Sequence, residues 1–214
     1  PDRRLAGLAW GEPAASRKIL ALHGWIDNAA TFTLIAPTIA KTTDSYIVAI
    51  DFSGHGLSSH LSGSQLYSVL SYVQDVYQAV QALKWESFTL LGHSLGGGIA
   101  SSPPPRRTFA AQVEGLIMLE SLGVYTGKED DAPSRLRRGL TAPIVREHAR
   151  AYTSVEEAVQ RRVSSAARMP GDQFISREGA AILVERALRR VTHDGKPDTW
   201  VFTHDRSLSN GSPM

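Results

Sequence analysis

An apolar run, Phe88-Thr89-Leu90-Leu91, passes through Gly92-His93-Ser94-Leu95-Gly96 into the small residues Gly97-Gly98-Ile99-Ala100. The run has the character of a short buried strand, and the small residues suit a helix packed close to a sheet. Between them lies Gly-x-Ser-x-Gly, the pattern of a strained strand-to-helix turn that exposes a serine hydroxyl. Side chains two positions before and after Ser94 would collide across so sharp a corner. Glycine at 92 and 96 removes the obstruction. A helix starting just after Ser94 turns free N–H groups and its positive dipole end toward any oxyanion formed there. An ordinary tight turn can carry the same five residues; the flanking strand and helix favour the chemical reading.

Two more strands end in comparable segments. Lys18-Ile19-Leu20-Ala21-Leu22 is a compact apolar run closing on His23-Gly24-Trp25-Ile26-Asp27-Asn28. Tyr46-Ile47-Val48-Ala49-Ile50 closes on Asp51-Phe52-Ser53-Gly54-His55-Gly56-Leu57-Ser58. Residues 31–40 have helix-compatible spacing interrupted by Pro37. Apolar residues at 66, 69, 70, 73, 76, 77, 80 and 83 follow the three-four spacing of an amphipathic helix. Short alternation of strand and helix predicts a parallel sheet covered by helices, with its functional loops at the carboxyl ends of the strands. The three glycine-rich segments all fall at such ends, so one site is expected from three distant stretches. Gly115 to Ser121 reads as a further buried strand. Beyond it, residues 134–150, 155–168 and 176–190 read as arginine-rich helices joined at Pro143, Pro170 and Gly171.

Taken together, His23-Gly24-Trp25, Asp51-x-x-Gly54-x-Gly56-x-Ser58 and Gly92-His93-Ser94-Leu95-Gly96-Gly97 resemble the α/β-hydrolase fold. Trp25-Ile26-Asp27-Asn28-Ala29, Gly115-Leu116-Ile117-Met118-Leu119-Glu120-Ser121 and Thr203-His204-Asp205-Arg206-Ser207-Leu208 are similar to its serine hydrolase-like branch. The resemblance implies an α/β fold with a mostly parallel sheet, helices on both faces and a helical cap. Residues 1–125 would form the core and 126–214 the cap. The cap's apolar positions (Leu136, Leu140, Val145, Val155, Val159, Ile182, Leu183 and Leu188) would pack on the mouth of the sheet. In such a fold the acid and histidine follow two further strands after the cap, so the fold would be C-terminally incomplete, a fragment stopping before both. The start at Pro1 rather than Met suits a fragment or a processed chain.

Ser94 is then the candidate nucleophile. A serine hydroxyl is weak at neutral pH and needs a general base within hydrogen-bond reach. The oxyanion hole would use the backbone amides of Leu95 and Trp25, with Gly24 letting the loop turn tightly. His23, Gly24, Gly92, His93 and Gly96 are assigned supporting roles, His23 as an imidazole bonded to local backbone. Glu120 ends the strand after the serine corner and is the candidate acid, with a solvated strand-end carboxylate as the alternative. His148, His193 and His204 lie downstream of the serine. His204 follows the strand-like Trp200-Val201-Phe202-Thr203, but the resemblance puts it in the cap. The loop 51–58 lacks the lysine of a Walker motif and the spacing of a dinucleotide fingerprint, so it reads as a structural loop bordering the site. Serine at the corner, rather than aspartate, sets the chain apart from epoxide hydrolases and haloalkane dehalogenases. Three successive prolines, Pro103-Pro104-Pro105, should end the helix after Ser94 near Ser101.

Composition narrows the partners. The 214 residues suit one domain with or without an appendage, and contain no cysteine, which removes thiolate chemistry. Net charge is +2, and the arginines of the second half are interleaved with acids, so nucleic acid is not an expected partner. No run spans a bilayer and no leader opens the chain. An intracellular, cytoplasmic location is expected, with peroxisomes admitted by the resemblance alone. No metal or cofactor is expected; the partner is a small acyl substrate, a carboxylic ester or thioester. The rival reading is a non-catalytic receptor or scaffold binding a small ligand on the same fold.

Overall fold

The computed structural model describes residues 3–62, 66–102, 107–123, 128–131, 133, 134, 137, 150–168 and 173–210. Five strands form the main sheet: β1 (Gly7–Trp10), β2 (Arg17–Leu22), β3 (Ser45–Ile50), β4 (Phe88–His93) and β5 (Val113–Leu119), in the order β1-β3-β2-β4-β5. β1 runs antiparallel to β3, and every other pairing is parallel. Leu22 stands opposite both Ile50 and Gly92, and Gly92 opposite Met118. The carboxyl ends of four strands therefore share one rim, and the three glycine-rich segments leave from it.

Alternation along the strands separates two cores, because successive side chains point to opposite faces. Leu20 and Leu22 of β2 join Phe88 and Leu90 of β4 against one helical layer. Ile19, Ala21, Ile47, Ala49 and Leu91 face the other way. The first face is covered by α2 (Val69–Leu83), α3 (Leu95–Ala100) and α4 (Arg107–Gln112), through Tyr72, Val76, Val80, Ile99 and Phe109. The second is covered by the 3₁₀ turn Ala29–Phe32 and by α1 (Ala36–Thr43), through Phe32, Ala36 and Ala40. Pro37 lies in the first turn of α1, where its missing N–H has no helical partner to lose. α2 opens on a capping box of Ser68 and Ser71 and closes on Lys84 in the left-handed region. α3 stops at Ala100, as expected near Ser101; Pro103–Pro105 lie outside the described residues.

Three expectations need correction. β5 is not a buried strand. It is the sheet edge, with Leu116 42% and Ile117 45% exposed, because no described strand pairs with its outer side. The helix expected over 176–190 is α6 (Arg177–Ala187), after which the chain turns into the hairpin β6 (Leu188–His193) and β7 (Lys196–Phe202). The hairpin turns through Asp194-Gly195, with Gly195 at φ 67°, a conformation open to glycine. Finally, α5 (Val155–Ala166) and α6 do not spend their apolar faces mainly on the sheet. Val155, Val159 and Leu188 join Tyr152, Val184, Trp200 and Phe202 in a separate third cluster. Leu136, Leu140, Val145 and His148 lie outside the described residues.

Candidate active site

Ser94 occupies the corner between β4 and α3 with φ 49° and ψ −114°. A non-glycine residue holds so rare a backbone conformation only when its surroundings enforce it. Here its N–H donates to Leu119 O at 2.9 Å, and its carbonyl accepts from Gly97 and Gly98. The glycines make the corner passable. A Cβ on Gly92 would lie 2.4 Å from Gly96 O, and one on Gly96 would lie 2.1 Å from Leu22 O. The Ser94 side chain is half-buried, and no described side chain hydrogen-bonds its hydroxyl. Leu95, fully buried, begins α3, and its amide donates to no acceptor among the described residues.

The loop after β2 turns back beside this corner. Asp27 N–H donates to Gly24 O at 3.2 Å, and Ile26 takes φ 58°, costly for a β-branched side chain. A Cβ on Gly24 would meet the His93 ring at 3.1 Å, so loop and corner are in contact. Like Leu95, Trp25 donates its amide to nothing among the described residues. Beneath the loop, His23 is fully buried. Its Nδ1 donates to Gly24 O at 2.7 Å, while its Nε2 accepts from Phe52 N–H at 3.0 Å. Burial pushes its pKa down to about 4, so the ring is a neutral strut between the loops after β2 and β3.

Glu120 is brought to His93, not to Ser94. At the end of β5, with φ 52°, its Oε2 lies 3.3 Å from His93 Nε2, and its side chain is 67% exposed. The other ring nitrogen of His93, Nδ1, is buried and has no hydrogen-bond partner among the described residues. His204 lies in the third cluster's surroundings beside Phe202, and His193 is bonded to Thr199 within the hairpin. Neither bonds Ser94.

The loop 51–58 is a scaffold. Asp51, fully buried, accepts from Ala29 N–H at 2.7 Å, from Leu57 N–H at 2.9 Å and from Arg186 Nη2 at 2.9 Å. A Cβ on Gly56 would come within 2.4 Å of that carboxylate. Ser53 binds the buried Asp75 of α2, which also pairs with Arg3. Burial raises the Asp75 pKa, opposed by these partners.

Sequence reasoning missed how residues 150–168 and 173–210 are fastened over the rim. Arg162 of α5 pairs with Asp27, and Arg186 of α6 pairs with Asp51. Asn28 donates to Leu183 O at 2.9 Å. Thr203 donates to Gly56 O at 2.7 Å, and Asp205 N–H to Gly54 O at 2.8 Å. The adjacent Asp27 and Asn28 at a strand end were the available signal; nothing local marks Arg186. Between the loop after β2 and helices α5 and α6 lies a cavity of about 180 Å³, walled by Ile26, Asp27, Leu183, Val184, Arg161 and Arg162 among others. Among the described residues, no helix is long and apolar enough to cross a membrane.

Residues 18–103 match the alpha/beta hydrolase fold family. Over 211 residues the chain is 36% identical to a serine hydrolase-like protein of Danio rerio, covering 96% of this chain and 60% of that protein. A serine hydrolase-like protein of Dictyostelium discoideum is 43% identical over 127 residues, 59% of this chain and 34% of that one. Among solved structures, a hypothetical protein from Pseudomonas aeruginosa PAO1 superposes with a TM-score of 0.82 at 33% identity, covering 100% of this chain and 70% of its own.

Proposed function

The chain belongs to the α/β-hydrolase superfamily, in its serine hydrolase-like branch, and on that premise we propose that Ser94 is the nucleophile for acyl transfer from a carboxylic ester or related acyl substrate. The observation that carries this reading is the strained backbone of Ser94 at the strand-to-helix corner. The flanking glycines leave room for the corner at which Ser94 takes φ 49°, and that corner lies at the rim from which the loops after β2 and β3 also leave, which supports the reading.

In this reading the Ser94 hydroxyl attacks the acyl carbon and its proton passes to a general base. The carbonyl oxygen becomes an oxyanion, taken up by the amides of Leu95 and Trp25, both without acceptors among the described residues. Two such donors, in place before reaction, supply several kcal/mol of transition-state stabilisation. No described histidine hydrogen-bonds Ser94, and in this reading the general base is a group outside those described. Glu120 steadies His93 beside the nucleophile rather than acting as the acid of a triad. The region 126–214, of which residues 150–168 and 173–210 lie over the rim, acts as a cap setting access to it. The chain spans 60% of its Danio rerio relative, and the activity proposed is that of the whole protein.

Incubation with a fluorophosphonate tests the reading. Slow labelling that disappears in Ser94→Ala is expected. Labelling as fast as that of a complete serine hydrolase would overturn the view that the base lies elsewhere. A folded chain that binds small ligands equally well with and without Ser94, and never labels, would favour a receptor on the same fold.

A further inference from the structure

The cavity beneath α5 and α6 is apolar along most of its wall, through Leu183, Val184 and Phe202, yet two adjacent arginines, Arg161 and Arg162, also line it. Their situations differ. Arg162 is neutralised by Asp27. Arg161, an exposed residue at the edge of the cavity, has no carboxylate within ion-pair distance among the described residues. Its natural partner would be Glu157, one turn earlier on the same helix. Glu157 is committed instead, its Oε2 accepting from Thr153 N–H at 2.7 Å and from Thr153 Oγ1 at 2.8 Å. Glu156, the other acid of that turn, pairs with Arg177. Among the described residues the wall therefore carries one surplus positive charge, two guanidinium groups against the carboxylate of Asp27.

The remaining polar groups of the wall do not cancel it. Burial and then neighbouring His60 hold His204 below its usual pKa, with Asp205 opposing them, so burial disfavours a charge on this ring. Burial pushes the Tyr152 phenol up, while Arg150 and Arg161 pull the other way, and the Arg150 guanidinium lies 5.5 Å from the centre of that ring. An apolar slot with an unpaired guanidinium suits an amphiphile with one anionic group, since guanidinium pairs strongly with carboxylate. Size sets the chain. A cavity of about 150 Å³ takes up benzene, so about 180 Å³ admits roughly six carbons.

We propose that this cavity binds a short acyl chain bearing a carboxylate, with Arg161 as its counter-ion, so that the protein selects anionic acyl substrates such as half-esters of short dicarboxylic acids. The substrate assignment rests on the reading of Ser94 given above; the binding site does not. Arg161 is here a specificity-determining residue, with no part in bond making.

The test is a titration of the chain, followed by NMR, with hexanoate, 1-hexanol and hexylammonium, which share a tail and differ in charge. Hexanoate should bind at least tenfold more tightly than 1-hexanol, and hexylammonium more weakly than either. In Arg161→Gln, hexanoate should fall to the level of 1-hexanol. Arg168→Gln, beyond the end of α5 and outside the cavity wall, should retain the full preference. Equal binding of hexanoate and hexanol, an unchanged preference in Arg161→Gln, or binding of none of the three to the folded chain would overturn the proposal. Loss of the hexanoate preference with Ser94 labelling intact would overturn this proposal and leave the reading of Ser94 standing. A preserved preference without labelling would leave an anion pocket on a protein that is not a serine hydrolase.

Discussion

Replacing Arg186 by methionine removes one half of a buried ion pair while keeping most of the side chain's apolar volume. Asp51 is fully buried, and Arg186 approaches it through Nε at 3.2 Å and Nη2 at 2.9 Å, with only 12% of its side chain exposed. The two backbone amides that remain, Ala29 and Leu57, are neutral donors and do not balance a full charge. Breaking one partner of a buried pair costs about 3–5 kcal/mol, chiefly because the other charge is stranded. For a chain of this size each kcal/mol moves Tm by about 2–4 °C, so Arg186→Met should lower Tm by roughly 6–20 °C. Asn in place of Asp51 removes the stranded charge. The double variant Asp51→Asn/Arg186→Met should therefore be less unstable than the two single variants summed, by about 1–3 kcal/mol. Thermal and urea denaturation of the four proteins measure this. A Tm loss under about 3 °C in Arg186→Met, or additive single effects, would refute the assignment of this pair as the fastening between α6 and the loop after β3.

Gly96→Ala should destabilise the fold by about 3 kcal/mol in urea unfolding, since its Cβ would press to 2.1 Å from the Leu22 carbonyl, a backbone atom with little room to yield. Ser68→Ala, which removes the acceptor for Ser71 N–H at the start of α2, should cost about 1 kcal/mol by the same assay. Acid should weaken the protein through its buried histidines: burial pushes His23 down to about 4 and His55 down to about 3, while both titrate near 6.5 when unfolded. The unfolded chain takes up protons first, so stability falls as pH drops from about 6.5 toward 4, by up to about 1.4 kcal/mol per pH unit for each ring. Asp27 and Asp75, raised by burial, work in the opposite direction. Comparing wild type with His55→Phe isolates the histidine effect, and an unchanged slope would contradict it.

What could be read in advance was what repeats locally. β2, β3 and β4 were legible because a strand buried on both faces is apolar throughout, and α2 because its burial follows the helical period. β1 was not: four residues on an edge, alternating only between exposed and half-buried, give too short a pattern. Continuing α6 through Leu188 misread a hairpin whose turn was marked by Asp194-Gly195, because the apolar spacing of 176–190 serves a helix as well as a strand. At the site, the corner at Ser94 was legible because its geometry admits only glycine at 92 and 96. The pairs Asp27–Arg162 and Asp51–Arg186 each join residues 135 positions apart, and no local pattern encodes such a partner.

The most direct measurement is a crystal structure of the phosphonylated protein, read for where the phosphoryl oxygen lies. The adduct is expected on Ser94, its oxygen within about 2.7–3.1 Å of both the Trp25 and Leu95 amide nitrogens. An adduct on a different serine, or an oxygen directed away from those two amides into solvent, would contradict the account.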